Sequence, residues 1–287
     1  MTYPIATSLV LLLAAAIAPA PANAASVVVY AAGDIAECRG KPAERSGAAL
    51  TAKLVQPGAT VLIPGDTAYP FATSETLQSC YEPTWGAFRA TTLVVPGNHD
   101  YVDGRSDDFR AYFGDGAAAT GYFARRIGDW LVIGLDSEQV GGSLERQYAW
   151  LQATLRETSD VRCTLAFWHR PAFSSGIEHG SSAKMQRFWA LLEGQGAEFV
   201  LNGHEHFYEA FGPLDATGRP AADGMREFVV GTGGARLYPI WNPVHQSRVR
   251  YARHGVLKLT LDAGSYSWQF IDTRGRVLDS GEAACRQ

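Results

Sequence analysis

Five short apolar runs recur along the chain, and each ends in a glycine-rich or polar loop. Ser26–Ala32 leads into Gly33-Asp34, Thr60–Pro64 into Gly65-Asp66, and Thr92–Pro96 into Gly97-Asn98-His99-Asp100. Cys163–Trp168 leads into His169, and Glu198–Asn202 into Gly203-His204. Runs of about five residues rich in β-branched side chains predict buried strands rather than helices. Pro42–Val55 has a Pro in its first turn and is rich in alanine, which predicts a helix. Ser143 predicts an N-cap for a helix through Leu155, with Leu144, Tyr148, Leu151 and Leu155 on one face. Ala183–Leu192 gathers Met185, Phe188, Trp189 and Leu192 on the core side of a third helix. Tyr122–Leu135 predicts a hairpin turning at Gly128-Asp129. Gly255–Leu261 and Ser265–Ile271 predict another, turning at Asp262-Ala263-Gly264. A β-α-β start followed by locally pairing strands predicts two sheets with helices outside, an α/β sandwich.

Composition adds bounds. The chain is 46% hydrophobic and 19% charged, which excludes a disordered or fibrous protein. Its 25 Lys and Arg against 29 Asp and Glu leave −4, which argues against a nucleic-acid or anionic-membrane partner held by bulk charge. Residues Met1 to Ala24 carry no charged side chain. The apolar stretch Ile5–Ala18, then Pro19, Pro21 and Ala22-Asn23-Ala24, predicts a secretory signal peptide over 1–24, cut after Ala24, although its start lacks Lys or Arg. The stretch is short for a membrane span, so a secreted or periplasmic chain without a membrane anchor is expected after cleavage. With no linker evident, residues 25–287 are expected to form one domain. Export makes Cys38, Cys80, Cys163 and Cys285 disulfide candidates. Four cysteines allow three connectivities, which sequence alone does not separate. Cys38–Cys80 with Cys163–Cys285 is favoured, because the first two sit near loops that should converge.

Asp34, Asp66, Tyr69, Asn98, His169, His204 and His206 are all oxygen or nitrogen donors beyond these strand ends. Ligands of open α/β sheets gather at the carboxyl ends of strands. Singly each residue is a weak signal, since an Asp after a strand is usually a turn or cap residue. Together they point into one cleft, where a carboxylate can bridge two cations. Metals about 3.5–4 Å apart polarise a phosphoryl group and activate water.

Gly33-Asp34, Gly65-Asp66-x-x-Tyr69, Gly97-Asn98-His99-Asp100, His169 and Gly203-His204-x-His206 resemble the calcineurin-like metallophosphoesterases. The Tyr three residues after the second Asp resembles the purple acid phosphatase form of that pattern. The resemblance implies a four-layer α/β/β/α sandwich with two mixed β-sheets and a dinuclear metal site at the strand C-terminal ends. It implies Fe(III) on Asp34, Tyr69 and His206, a divalent Fe, Zn or Mn on Asn98, His169 and His204, and Asp66 between them. A phenolate ligand calls for a strongly acidic cation, because Tyr ordinarily ionises near pH 10. The implied activity is hydrolysis of small phosphate monoesters by in-line attack of a metal-bound hydroxide. A phosphodiesterase of the same fold, or a metal-binding protein without turnover, are the alternatives. The centre's own charge of about +2, or about +1 with one hydroxide, outweighs the chain's −4 for a phosphate anion.

Around that centre, His99 is expected to protonate or stabilise the leaving oxygen, with Asp100 orienting its imidazole. His179, ten residues after His169, resembles the histidine of the family's substrate loop. Asn98, His99, Arg170 and His179 are the expected substrate contacts. The family usually has glycine where Ala36 stands. His245 and His254 match no motif, and His254 is expected to be structural. Gly231-Thr232-Gly233-Gly234 lacks a P-loop Lys and reads as a tight turn near the site. Oligomeric state is not legible.

Overall fold

The computed structural model describes residues 26–240 and 247–286. The expected signal peptide and His245 lie outside the described residues. Strands β1 (Val27–Ala31), β2 (Thr60–Pro64) and β3 (Thr92–Val95) come first. They are followed by β4 (Phe123–Ile127), β5 (Trp130–Gly134), β6 (Cys163–Phe167), β7 (Phe199–Asn202) and β8 (Tyr208–Phe211). The last are β9 (Arg226–Val230), β10 (Ser247–Tyr251), β11 (Gly255–Asp262), β12 (Ser265–Asp272) and β13 (Val277–Ala284). One sheet has the order β13-β12-β11-β1-β2-β3, the other β10-β8-β9-β7-β6-β5-β4. Both are mixed: β1, β2 and β3 run parallel, as do β5, β6, β7 and β9, while the flanking strands pair antiparallel.

Three buried layers explain the continuous apolar runs. Val29, Leu62, Phe167, Leu201 and Phe270 fill the space between the sheets. Tyr30, Val61, Ile63 and Trp85 pack on the outer face of the first sheet. Ile133, Ala166, Met185 and Trp189 pack on the outer face of the second. Neighbouring residues point to opposite faces, so a strand buried on both sides must be apolar throughout. The result is the expected four-layer sandwich.

The helical segments are α1 (Gly47–Ala52), the single turn α2 (Ser74–Thr76), α3 (Asp107–Phe113), α4 (Gly141–Glu157) and α5 (Ala183–Gly194). Two expectations are corrected. The helix expected over Pro42–Val55 is split into a 3₁₀ turn at Ala43–Arg45 and α1. Ser46 divides them, because its hydroxyl donates to Ala43 O at 2.6 Å and accepts from Ala49 N at 3.2 Å, capping α1. Ser143 does not cap α4, which begins at Gly141 with Val140 as N-cap; its hydroxyl instead donates to Val140 O at 2.7 Å. Both expected hairpins form, as β4–β5 and β11–β12. The favoured disulfides are present, Cys38–Cys80 and Cys163–Cys285, with Cα–Cα separations of 5.8 and 5.6 Å. Among the described residues no helix is long and apolar enough to cross a membrane.

Candidate metal centre

The parallel strands end together, and backbone bonds knit their loops across the two sheets. Gly33 N donates to Val230 O at 3.0 Å, Asp34 N to Gly65 O at 3.1 Å, and Gly203 N to His169 O at 3.0 Å. Asp34, Asp66 and His204 sit in the left-handed region, with φ of 59°, 55° and 71°. Such backbone is uncommon for these residues and persists where surrounding bonds enforce it. His204 N donates to Asp34 Oδ2 at 2.9 Å, and Asp66 N to Asp100 Oδ2 at 2.7 Å. Only one of the four glycines leading into these clusters, Gly65, has positive φ. Gly97 and Gly203 supply room instead: a Cβ at these positions would fall 2.2 Å from Asp66 Oδ1 and 2.6 Å from Asp34 Oδ2.

All seven expected metal donors converge, in two groups. Tyr69 Oη lies 2.7 Å from Asp34 Oδ1, 3.0 Å from His206 Nε2 and 2.9 Å from Asp66 Oδ2. His169 Nε2 lies 3.2 Å from Asn98 Oδ1, 3.0 Å from His204 Nδ1 and 3.3 Å from the same Asp66 Oδ2. One carboxylate oxygen therefore touches both groups. The imidazoles are aimed from behind. His169 Nδ1 donates to Pro64 O at 2.9 Å and His206 Nδ1 to Arg236 O at 2.7 Å, leaving each Nε2 facing the cluster.

The electrostatics describe a site short of positive charge. Burial would lower the His169 pKa, yet Asp66 and Asp34 outweigh it and push it up to about 10. Burial, then Asp34 and Asp66, push the Tyr69 phenol well above its usual range. Burial likewise disfavours the Asp66 carboxylate, but His169 and His99 hold its pKa below the usual carboxylate range. No Lys or Arg among the described residues pairs with Asp34 or Asp66. Two carboxylates, three imidazoles, a phenol and an amide oxygen, with oriented lone pairs, fit a pair of cations; Asp66, His169 and His204 alone bring three ligand atoms within 4.8 Å.

The surrounding residues are placed less as expected. Asp100 does not orient His99. Its buried carboxylate accepts from Gly97 N at 2.8 Å, Asp66 N at 2.7 Å and Thr67 N at 2.9 Å, bracing the two loops. Backbone N–H groups surround that carboxylate, so it cannot reach the ring. His99 Nδ1 instead donates to Pro70 O at 2.6 Å, and its Nε2 lies 4.0 Å from Asp66 Oδ2. His179 stacks on His204 with ring centroids 4.0 Å apart. Arg170 lies beside the second group, with Nη1 2.9 Å from His204 Nε2, and gives its Nε–H to Glu138. The Gly231–Gly234 turn lies against the first loop through Gly233 N to Gly33 O at 2.9 Å. His254 braces that turn through Ala235 O at 2.9 Å, the structural role expected.

Three participants are absent from the sequence reading. Glu205 holds the His179 loop by accepting from His179 N at 3.0 Å and Gly180 N at 2.6 Å. Its place between two histidine donors was a usable signal. Tyr238 stacks on His206 at 4.1 Å, and no sequence pattern announces it. Glu138 follows the end of β5, where the strand-end rule would have found it.

The family model described as calcineurin-like phosphoesterase matches residues 27–208. The chain belongs to this family. Purple acid phosphatase 15 of Arabidopsis thaliana is 25% identical over 186 residues, covering 52% of this chain and 35% of that one. A probable glycerophosphodiester phosphodiesterase of Arcobacter nitrofigilis is 32% identical over 99 residues, 32% of this chain and 35% of that one. The chain thus spans about a third of the length of these curated relatives. The purple acid phosphatase PPD1 of yellow lupin superposes with a TM-score of 0.67 at 18% identity, covering 93% of this chain and 55% of that one. GAP50 of Plasmodium superposes with a TM-score of 0.72 at 15% identity, covering 91% and 90%. Membership of the calcineurin-like phosphoesterase family implies two metal ions.

Proposed function

We propose that this phosphoesterase is a secreted phosphatase that hydrolyses small phosphate monoesters, with Fe(III) on Asp34, Tyr69 and His206 and a divalent ion on Asn98, His169 and His204. Residues 1–24 would be its signal peptide and 25–287 its catalytic domain. The observation that carries the reading is Asp66 Oδ2, 2.9 Å from Tyr69 Oη and 3.3 Å from His169 Nε2, shared by two donor groups. Two cations held there would supply the charge that draws in a phosphate and the acidity that makes water a nucleophile. The chain's residues do the rest. With Nδ1–H tied to Pro70 O, His99 presents Nε2 on the solvent side of the cluster, where it protonates the departing oxygen as the P–O bond breaks and regains a proton from solvent. His179, held by Glu205 over His204, and Arg170 border the same opening and supply donors to phosphate oxygens.

The phosphodiesterase reading is the rival, favoured by the similarity to a relative named as a probable glycerophosphodiester phosphodiesterase. Comparing kcat/KM for an aryl phosphate and its bis-aryl diester separates the two. The monoester is expected to be the better substrate, and a preference for the diester would overturn the proposal.

A further inference from the structure

We infer that Glu138 and Arg170 form a clamp that biases the site towards dianionic monoesters over monoanionic diesters. Arg170 is the specificity-determining residue and Glu138 its positioning residue. The inference rests on the phosphoester reading above, but not on which ester the wild-type chain prefers.

Glu138 lies in the loop that follows β5, at the same end of the sheet as the metal donors. That loop is held rigidly. The Asp136 carboxylate accepts from Glu138 N at 2.9 Å, Tyr101 Oη at 2.6 Å and Gln139 Nε2 at 2.7 Å. Gln147 grips the Asp136 backbone on both sides, accepting from its N at 2.7 Å and donating to its O at 2.9 Å. Asp136, Ser137 and Gln147 are all fully buried. From this base two contacts fix Arg170. Ser137 Oγ accepts from Arg170 N at 3.0 Å, and the Glu138 carboxylate accepts from Arg170 Nε at 2.8 and 3.0 Å.

The use made of the guanidinium separates this pair from an ordinary ion pair. Arg187 gives both Nη1 and Nη2 to Glu145, so its terminal fork is spent on a protein carboxylate. Arg170 gives Glu138 only Nε. Its Nη1 is hydrogen-bonded to His204 Nε2 at 2.9 Å, and Nη2 makes no hydrogen bond among the described residues. Nη2, and the second hydrogen of Nη1, are therefore left beside the donor cluster on a partly exposed guanidinium held in orientation from behind. A guanidinium so placed reads anionic oxygens in a plane. A monoester dianion offers one more such oxygen than a diester, and the diester's second ester group would have to occupy the place where that oxygen meets Arg170. A hydrogen bond between charged partners discriminates by about tenfold to a hundredfold.

The test is the ratio of kcat/KM for an aryl phosphate to kcat/KM for its bis-aryl diester, in metal-loaded wild type, Arg170→Ala, Glu138→Ala and Glu138→Gln. Arg170→Ala is expected to lower the ratio about tenfold to a hundredfold, chiefly by losing the monoester. Glu138→Ala should lower it several-fold through a raised monoester KM. Glu138→Gln should recover most of that loss, because its amide oxygen still accepts from Nε. Competitive inhibition by inorganic phosphate should weaken in the same order, which keeps the clamp testable should Glu138→Ala fail to fold. An Arg170→Ala enzyme that loses both substrates equally would overturn the inference, as would a Glu138→Ala enzyme with the wild-type ratio. A wild-type chain that prefers diesters would sink the monoester reading while leaving the clamp to be judged by the change in ratio.

Discussion

Among the buried carboxylates of this fold, Asp279 and the Asp34–Asp66 pair are neutralised in opposite ways. On the antiparallel flank, Asp279 of β13 accepts from Arg248 Nη2 at 2.6 and 2.7 Å, Tyr208 Oη at 2.7 Å and Trp268 Nε1 at 3.1 Å. A protein cation and two neutral donors satisfy it completely. At the ends of the parallel strands, Asp34 and Asp66 meet only a phenol, imidazoles and backbone N–H groups. Burying charge without a cation is expensive unless another cation arrives. The flank is finished by its own side chains, whereas the strand-end site is complete only with metal.

Substitutions should separate the two regions. Asp66→Asn removes the oxygen common to both donor groups. Metal content should fall below two per chain, and kcat/KM should drop by at least about a hundredfold to a thousandfold. Elemental analysis beside steady-state kinetics checks both, and a variant retaining two metals would break the contrast from the catalytic side. Replacing Cys163 and Cys285 together by Ser opens a loop of 122 residues and should cost about 4 kcal/mol in urea unfolding. Metal stoichiometry of the remaining folded protein should not change.

Asp279→Ala strands Arg248, whose side chain is 39% exposed. Breaking a buried pair costs about 3–5 kcal/mol, and access to water should bring this one to about 2–3 kcal/mol. Activity per folded molecule should hold; a loss of metal would show that the regions are not independent. The smallest effect is a pH slope. Burial raises Glu198, beside the Cys163–Cys285 bond, to about 7 despite the opposing Arg286. A carboxyl raised on folding favours the native state fully below the unfolded value near 4.5, and that contribution is lost as pH climbs to about 7. The melting temperature should therefore decline between pH 5 and 7.5, and Glu198→Gln should flatten the decline.

Much of the site was legible because its donors follow strands recognisable by their apolar runs. Asp34, Asp66, Asn98, His169 and His204 needed only the rule that strand ends converge. The Cys38–Cys80 pairing was favoured by the same convergence of loops, whereas nothing in the sequence pointed directly to Cys163–Cys285. What escaped depends on which atom faces which across loops. Asp100 stands next to His99 in sequence, yet its carboxylate turns to the backbone of Asp66 and Thr67. Glu138 reaches Arg170 only because β5 and β6 are neighbours in the sheet, a pairing that periodicity does not reveal. The left-handed conformations fall on Asp34, Asp66 and His204 rather than mainly on the preceding glycines. The helix expected over Pro42–Val55 failed on one hydroxyl, that of Ser46, which found two backbone partners.

The most direct test of a shared Asp66 between two cations is metal analysis with a visible spectrum on the purified wild-type chain and on Tyr69→Phe. Two metals per chain, one of them iron, with a visible absorption band that Tyr69→Phe abolishes, is the predicted result. A colourless, fully active wild-type enzyme holding a single metal would contradict it.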